Sequence, residues 1–248
     1  MLYARVELKP NLREEWGYYT QRWSTFTFAN HLELSRIAAV LNILARSEHE
    51  NAPAICDLGC GAGWSTSILG VFGSTLGVDL SDTTRAAERY PHCKFVSANI
   101  LEWDHPKEAF DVVVSLEVIE HIERPLQARY IAIAHELLKP GGCLILTTPN
   151  ARTMRAMAGG GKEWSNQPIE EWLSARELRS LLATRFQVRE IGSVILEEGV
   201  RGSYRLVNST KARRLLQLLG FWRVCENWAL RNMYGLHLVA HAQKPARI

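Results

Sequence analysis

Short apolar runs, separated by turns rich in glycine and proline, alternate along this chain with stretches of helical period. The runs Ala54–Leu58, Thr75–Asp79, Lys94–Ser97, Asp111–Leu116, Cys143–Thr148, Phe186–Ile195 and Leu236–His241 read as strands. Between them the pattern predicts helices. One starts near Trp64, and a second is capped by Ser81 or Asp82. Another runs over Arg124–Leu138, with Pro125 tolerated in its first turn and Lys139-Pro140-Gly141-Gly142 ending it. Ser174 with Glu177 three residues on forms a capping box for a helix reaching Ala183. Upstream, Asn30 to Ala45 is amphipathic, with Leu34, Ile37, Ala38, Leu41 and Leu44 on one stripe. Residues 1–29 carry Tyr3, Trp16, Tyr18, Tyr19, Trp23, Phe26 and Phe28 at spacings that fit neither strand nor helix cleanly. A helical insertion is expected over about 209–231. Strands alternating with helices predict an α/β fold with a mainly parallel sheet and right-handed crossovers.

Length and composition are those of one ordinary globular α/β domain: 248 residues, 47% hydrophobic and 22% charged. No apolar run is long enough for a membrane span and the N-terminus lacks a secretion pattern. The five cysteines are an odd number without metal-ligand spacing, and Cys56 and Cys143 fall in expected buried strands, so a reducing cytoplasm is the expected location. The net charge of +3 is uneven. From Gly199 to Ile248 there are nine Lys or Arg against one acid, Glu226, so this segment carries +8 and the remainder −5. Three roles stay open for it: a solvated helix face, a docking surface for anionic membrane or nucleic acid, or a lid near an anionic substrate.

The chemistry concentrates at Asp57-Leu58-Gly59-Cys60-Gly61-Ala62-Gly63, followed by Gly77-Val78-Asp79. A buried strand runs into a glycine turn and a helix, and a carboxylate waits at the tip of the next strand. Glycines without Cβ let the backbone turn sharply and approach a ligand, while the helix start offers free N–H groups. The acid at the next strand end is placed to accept ribose hydroxyls. A nucleoside cofactor is the first inference.

These residues resemble motif I of the class I S-adenosylmethionine-dependent methyltransferases, an acid and an apolar residue before Gly-x-Gly-x-Gly. Two further stretches match the family in order. Phe110 to His121 resembles its fourth strand and following turn, and Leu137 to Asn150 its helix-to-strand-5 junction and strand end. The resemblance covers residues 54–150 and is nearest to the small-molecule methyltransferases like the ubiquinone-biosynthesis O-methyltransferases. It implies a Rossmann-like three-layer sandwich whose seven-stranded sheet has the order 3-2-1-4-5-7-6, with strand 7 antiparallel. Residues 1–50 would then be an aromatic segment and helix capping the site, and 51–248 the methyltransferase domain with its insertion at about 199–231. Gly159-Gly160-Gly161 would mark a mobile loop after strand 5.

By the same resemblance, the backbone of Gly59, Cys60, Gly61 and Gly63 contacts the methionine end of the cofactor, and Asp57 helps hold its amino group. Asp79 binds both ribose hydroxyls, Leu80 packs on the adenine, and Leu116, at the end of strand 4, is also among the cofactor-binding residues. Where the family often has an acid for the adenine amino group this chain has Asn99, whose carbonyl oxygen can accept that bond; the Ile100 amide could contact a ring nitrogen.

Glu117-Val118-Ile119-Glu120-His121 lies just beyond strand 4, where the methyl group should be. Relatives with the same Glu-x-x-Glu-His include RNA-end 2′-O-methyltransferases in which the acids and His hold a divalent metal. Glu117, Glu120 and His121 are therefore expected either to bind Mg²⁺ or another divalent ion, to supply His121 as general base, or to support the loop. The absence of a second His between His135 and His237 places RNA well behind a small molecule. Lys162-Glu163-Trp164-Ser165 and the Trp172 to Leu178 stretch also look like the small-molecule relatives. Methyl transfer to a small-molecule hydroxyl is the expected activity. The rivals are a macromolecular substrate and a non-catalytic cofactor-binding subunit.

Overall fold

The structure is a computed structural model and describes residues 10–26, 29–47, 51–157, 167–196 and 209–247. Tyr3, Phe28, Gly159-Gly160-Gly161 and Lys162 to Ser165, all singled out above, lie outside the described residues, as do Arg201 and Arg205 of the basic segment. Strands β1 (Ala54–Leu58), β2 (Ser74–Asp79), β3 (Lys94–Ser97), β4 (Phe110–Leu116), β5 (Leu138–Pro149), β6 (Gln187–Val194) and β7 (His237–Gln243) form one sheet in the order β3-β2-β1-β4-β5-β7-β6. Pairing is parallel from β3 through β5, and β7 runs antiparallel to both β5 and β6. This is the expected order. The described helices are α1 (Pro10–Ser24), α2 (His31–Arg46), α3 (Trp64–Leu69), α4 (Thr84–Arg89), α5 (Gln127–Leu137), α6 (Ala151–Met157), α7 (Ala175–Leu182), α8 (Thr210–Leu218) and α9 (Trp222–Arg231).

Period-2 alternation divides the strand residues between two cores. On one face Ile55, Val112, Val114, Ile145 and Val239 meet Ile37, Val40, Ile43 and Leu44 of α2. On the other, Cys56, Leu58, Val113, Leu144, Leu146 and Leu238 meet Tyr130, Ile131 and Leu137 of α5 and Leu178 and Leu182 of α7. Each fully buried aliphatic side chain contributes about 2 kcal/mol. The one phenol at the centre, Tyr130, is paired with Ser115 Oγ at 2.7 Å, so its burial leaves no orphaned hydroxyl. Asn30 caps α2 by accepting from the Leu32 and Glu33 amides at 2.9 and 3.0 Å, and Glu33 accepts from the Asn30 amide at 2.7 Å. Ser174 and Glu177 close the expected capping box on α7.

Four details depart from the sequence reading. Residues 10–24 form α1, although their aromatic spacing suggested no element. The stripe α1 turns to the molecule is Glu15, Tyr19, Arg22 and Trp23, helical in period but mixed in polarity, so a hydrophobic pattern does not mark it. The buried stripe of α2 is rotated from the expected one, and Leu34 is half exposed. Strand β5 starts at Leu138, and residues 138–142 bulge where the pairing moves from Phe110–Leu138 to Val112–Cys143. Here Gly141 takes a left-handed φ of 83° and donates to Lys244 O at 3.1 Å, so the expected terminator is a bulge pinned to the end of the chain. Finally, the cap position of α4 is Thr83, without a side-chain cap bond; Asp82, one residue before it, accepts from the Thr84 amide at 2.9 Å, while Ser81 turns back to Asp79.

The chain runs from β1 outward to β2 and β3, then returns to β4 on the other side of β1. That reversal opens a crevice at the carboxyl ends of β1 and β4, where open α/β sheets bind ligands.

Candidate active site

A cavity of about 760 Å³ occupies this crevice. Its floor begins at the turn after β1. The Gly59 and Cys60 amides both donate to Val78 O, at 2.7 and 3.1 Å, and tie the turn to β2. Gly59, Gly61 and Gly63 all have left-handed φ, of 79°, 52° and 77°. A Cβ on Gly59 would stand 2.2 Å from Val118 Cγ2, and one on Gly61 would stand 2.7 Å from the Trp23 indole. Gly63 serves a different end. It does not line the cavity, and a Cβ there would meet Ala86 and Phe95 at 2.8 Å, so it lets α3 pack on α4 and β3.

Asp79 ends β2 on the cavity wall, and its carboxylate already has partners. Oδ2 accepts from the Gly61 amide at 2.8 Å, and Oδ1 accepts from the Ser81 amide and hydroxyl at 2.8 and 2.5 Å. Carboxylate oxygens offer roughly four lone-pair sites, so room remains for a ligand hydroxyl. Asp57 lies behind this wall and does not line the cavity. Fully buried, its Oδ2 accepts from Ser65 Oγ at 2.9 Å and Thr66 Oγ1 at 2.7 Å, and it orders the first turn of α3. Burial pushes its carboxyl up, the two hydroxyls pull it back, and it stands at about 6. Asp57 thus supports the turn from beneath, and its Oδ1 has no hydrogen-bond partner among the described residues. Leu80, Asn99, Ile100 and Leu116 line the cavity beside Cys60. Asn99 Oδ1 accepts from the Leu101 amide at 3.1 Å, an Asx turn that fixes the carboxamide facing the cavity.

The opposite wall carries Glu117, Glu120 and His121. Glu117 takes a left-handed φ of 56°, sparsely populated for a residue with a side chain, and its amide donates to Thr147 O at 3.1 Å. Its Oε2 stands 2.7 Å from His237 Nδ1 at the start of β7, and its Oε1 stands 3.9 Å from Arg36 Nε on α2. Arg36 Nη1 in turn lies 3.3 Å from His237 Nε2. A guanidinium can only donate, so Nε2 is the acceptor and Nδ1 carries the proton that faces Glu117. Burial alone would push the Glu117 carboxyl up, but His237 and Arg36 hold it below its ordinary range. Glu120 is the converse case. It is 1% exposed, accepts from Thr148 Oγ1 at 2.9 Å, and is pushed well up by burial and then by the Glu117 charge.

His121 Nδ1 stands 2.8 Å from the carbonyl of Ile169. A carbonyl only accepts, so Nδ1 is protonated and Nε2 keeps its lone pair, 3.9 Å from Glu120 Oε1. Burial lowers the imidazole's affinity for a second proton. The Tyr19 ring, from α1, lies 5.8 Å from the imidazole between centroids.

The expected metal set does not assemble. Among the described residues no three His, Cys, Asp or Glu side chains are grouped to hold an ion. Glu117 is already matched by His237, with a fixed guanidinium charge 3.9 Å away, and Glu120 is held by Thr148 with its carboxyl pushed toward the neutral form. Arg36 and His237 were not among the residues singled out from sequence. Each carried a faint signal: a cation on an otherwise apolar helix stripe, and a histidine opening an apolar strand.

The cavity thus combines a glycine turn, a strand-tip acid and a buried imidazole. The methyltransferase-domain family matches residues 28–190. A protein of Mycolicibacterium smegmatis named a probable S-adenosylmethionine-dependent methyltransferase is 31% identical over 141 residues, which cover 55% of this chain and 52% of the relative. The ubiquinone biosynthesis O-methyltransferase of Methylococcus capsulatus is 32% identical over 161 residues, 58% of this chain and 62% of that one. The match thus spans about half the length of the first of these relatives. In fold, the chain resembles the 1,6-didemethyltoxoflavin-N1-methyltransferase of Burkholderia thailandensis, solved with 1,6-didemethyltoxoflavin and S-adenosylhomocysteine, at a TM-score of 0.62 and 18% identity over 99% of this chain and 92% of that one. On sheet order, site and family match together, this chain belongs to the class I S-adenosylmethionine-dependent methyltransferases.

Proposed function

We propose that this chain transfers the methyl group of S-adenosylmethionine to a hydroxyl of a small molecule, with His121 as general base. The observation that carries this reading is the Nδ1 contact to the Ile169 carbonyl at 2.8 Å, which leaves a basic Nε2 on the cavity wall. When bound, the cofactor supplies a methyl group already activated on a sulfonium, so the protein's task is to align and deprotonate the acceptor. The Gly59, Cys60 and Gly61 turn and Asp79 would hold the methionine end and the ribose, with Leu80, Asn99 and Ile100 around the adenine and Leu116 beneath. Their fit rests on the Gly59, Cys60 and Gly61 backbone that lines the cavity and on the lone pair left on Asp79.

Glu117 Oε1, buried without a hydrogen-bond partner among the described residues, would accept from the acceptor and orient it toward His121. Tyr19 and Trp23 from α1 would cover both ligands and exclude water. Ligand pockets run to roughly 300–1,000 Å³, so a cavity of about 760 Å³ has room for a cofactor and a small acceptor together. The hydroxyl preference is supported by likeness to the ubiquinone biosynthesis O-methyltransferase, and the small-molecule class by that to the Burkholderia enzyme.

The test uses His121→Ala and His121→Gln against a panel of phenols, catechols, sugars and amines, with release of S-adenosylhomocysteine as readout. The variants should bind S-adenosylhomocysteine within threefold of the parent and lose at least about a hundredfold in transfer. The parent rate should rise with pH and level off below the ordinary imidazole range, because burial lowers the His121 pKa. Retained transfer in both variants would leave His121 as scaffold, and turnover of amines alone would remove the hydroxyl assignment.

A further inference from the structure

Helices α8 and α9 turn apolar side chains outward. No residue of α8 is buried, and in α9 only Ala229 is. Leu218 is 84% exposed, Val224 66%, Phe221 59% and Trp228 55%. Phe221, Val224 and Trp228 recur at helical spacing on one stripe of α9. Arg223 and Arg231 lie on the adjoining exposed stripe, and the inner side carries Ala229 and Leu230, whose carbonyl accepts from Ser193 Oγ at 2.7 Å. On α8 the outward side pairs Leu215 and Leu218 with Lys211 and Arg214. Arg213 sits 4.9 Å over the Trp222 ring and ties the two helices together. Between residues 209 and 234 the only acid is Glu226. A helix of a soluble core would put these leucines inward; apolar residues flanked by Lys and Arg, with Trp and Phe among them, are the composition of a helix lying in a lipid interface.

We infer that α8 and α9 dock the protein on an anionic membrane surface. Charge complementarity selects this occupant. A second copy in a two-fold contact would set the same cationic face against itself, whereas anionic lipid headgroups neutralise the cations as the apolar stripe enters the acyl boundary. Among the described residues no helix is long and apolar enough to cross a membrane, so the contact is peripheral.

The surface is connected to the cavity wall through the chain: Trp228 stacks on Tyr234 at 5.7 Å, Asn150 Nδ2 donates to the Met233 and Gly235 carbonyls at 3.0 and 2.9 Å, and His237, two residues on, lines the cavity. The inference stands apart from the catalytic reading, because lipid binding is measured without turnover.

The experiment is co-sedimentation of the full chain with vesicles of pure phosphatidylcholine and of phosphatidylcholine mixed with phosphatidylglycerol. Binding should be at least about tenfold tighter on the anionic vesicles and should weaken at about 0.5 M salt. Arg214→Glu with Arg223→Glu and Arg231→Glu should erase the anionic preference. Phe221→Asp with Trp228→Asp should abolish binding to both. Melting curves check that the variants fold, and the milder Arg223→Ala with Arg231→Ala should give an intermediate loss. Equal binding to both vesicle types, or variants that bind like the parent, would overturn the inference. So would a dimer broken by Leu218→Asp in a protein that ignores vesicles.

Discussion

Glu117 Oε2 lies 2.7 Å from His237 Nδ1, joining the turn after β4 to the first residue of β7. The pair explains how a carboxylate can remain charged in a largely buried, left-handed turn. Its proton-bearing partner is itself held in one tautomer by Arg36, 3.3 Å away on α2. This wall of the cavity thus joins three distant segments of the chain.

Replacing His237 with Gln should expose the cost of that burial. The Glu117 carboxyl is held below its ordinary range, so it stabilises the fold above the ordinary carboxylate pKa, and that contribution is lost as pH falls through the depressed value. The variant should lose about 2 kcal/mol near neutral pH, and its gap from the parent should close as pH falls below the ordinary carboxylate range. Thermal melts across that range give the answer; a gap that stays constant would show that the contact does not depend on the Glu117 charge.

Glu120→Gln should act in the opposite direction. Burial and the Glu117 charge raise the Glu120 carboxyl, so the parent is favoured by this group below its unfolded pKa and loses that advantage as pH rises through the folded one. The amide keeps an oxygen to accept from Thr148 and cannot ionise. The variant should melt higher than the parent at pH 8, with each 1 kcal/mol reading as about 3 °C in a chain of this size. The gain should shrink at pH 4, and a lower melting point at pH 8 would contradict the assignment.

Asp79 both pins the glycine turn and would face the ribose, so two substitutions separate its roles. Asp79→Ala should weaken S-adenosylhomocysteine at least about tenfold in a calorimetric titration, since charged hydrogen bonds contribute about 1.5–3 kcal/mol. Asp79→Asn keeps one oxygen for the Gly61 amide and should lose less stability than the alanine variant while losing a similar share of affinity. Unchanged affinity in both would sink the ribose role.

The glycines of the turn should not be equivalent. Gly59→Ala sets a Cβ 2.2 Å from Val118 within the packed turn, whereas Gly61→Ala meets the indole of Trp23, the far part of a side chain on α1. Both incur left-handed strain of about 1–2 kcal/mol, and Gly59→Ala should cost at least about 1 kcal/mol more in urea unfolding. Trp23→Leu in the Gly61→Ala background should recover part of its loss. Equal losses at the two positions would refute this ranking.

The half of the cavity built from β1 to β3 could be read from sequence because its parts are local. A strand, a glycine turn and the next strand tip fall within Asp57 to Asp79, and buried parallel strands announce themselves as apolar runs. The sheet order, by contrast, came from the resemblance and is what the structure has. Helix α1 escaped notice because the side chains it turns toward the cavity are Glu15, Tyr19, Arg22 and Trp23, chosen for a ligand-facing wall rather than a core. Arg36 and His237 escaped because only tertiary folding brings them to Glu117. For the same reason a Glu-x-x-Glu-His string does not reveal that a histidine from β7 stands 2.7 Å from the first carboxylate.

That strand order carries a consequence for biosynthesis. Because β7 lies between β5 and β6, β6 has no neighbour in the sheet until β7 has been made and threaded in. The glycine turn and Asp79 are encoded within the first 80 residues, whereas the wall carrying Glu117 gains its His237 contact only with β7. The two walls of one crevice are therefore laid down far apart in the order of synthesis, one from local sequence and one by a late strand threading between two earlier ones.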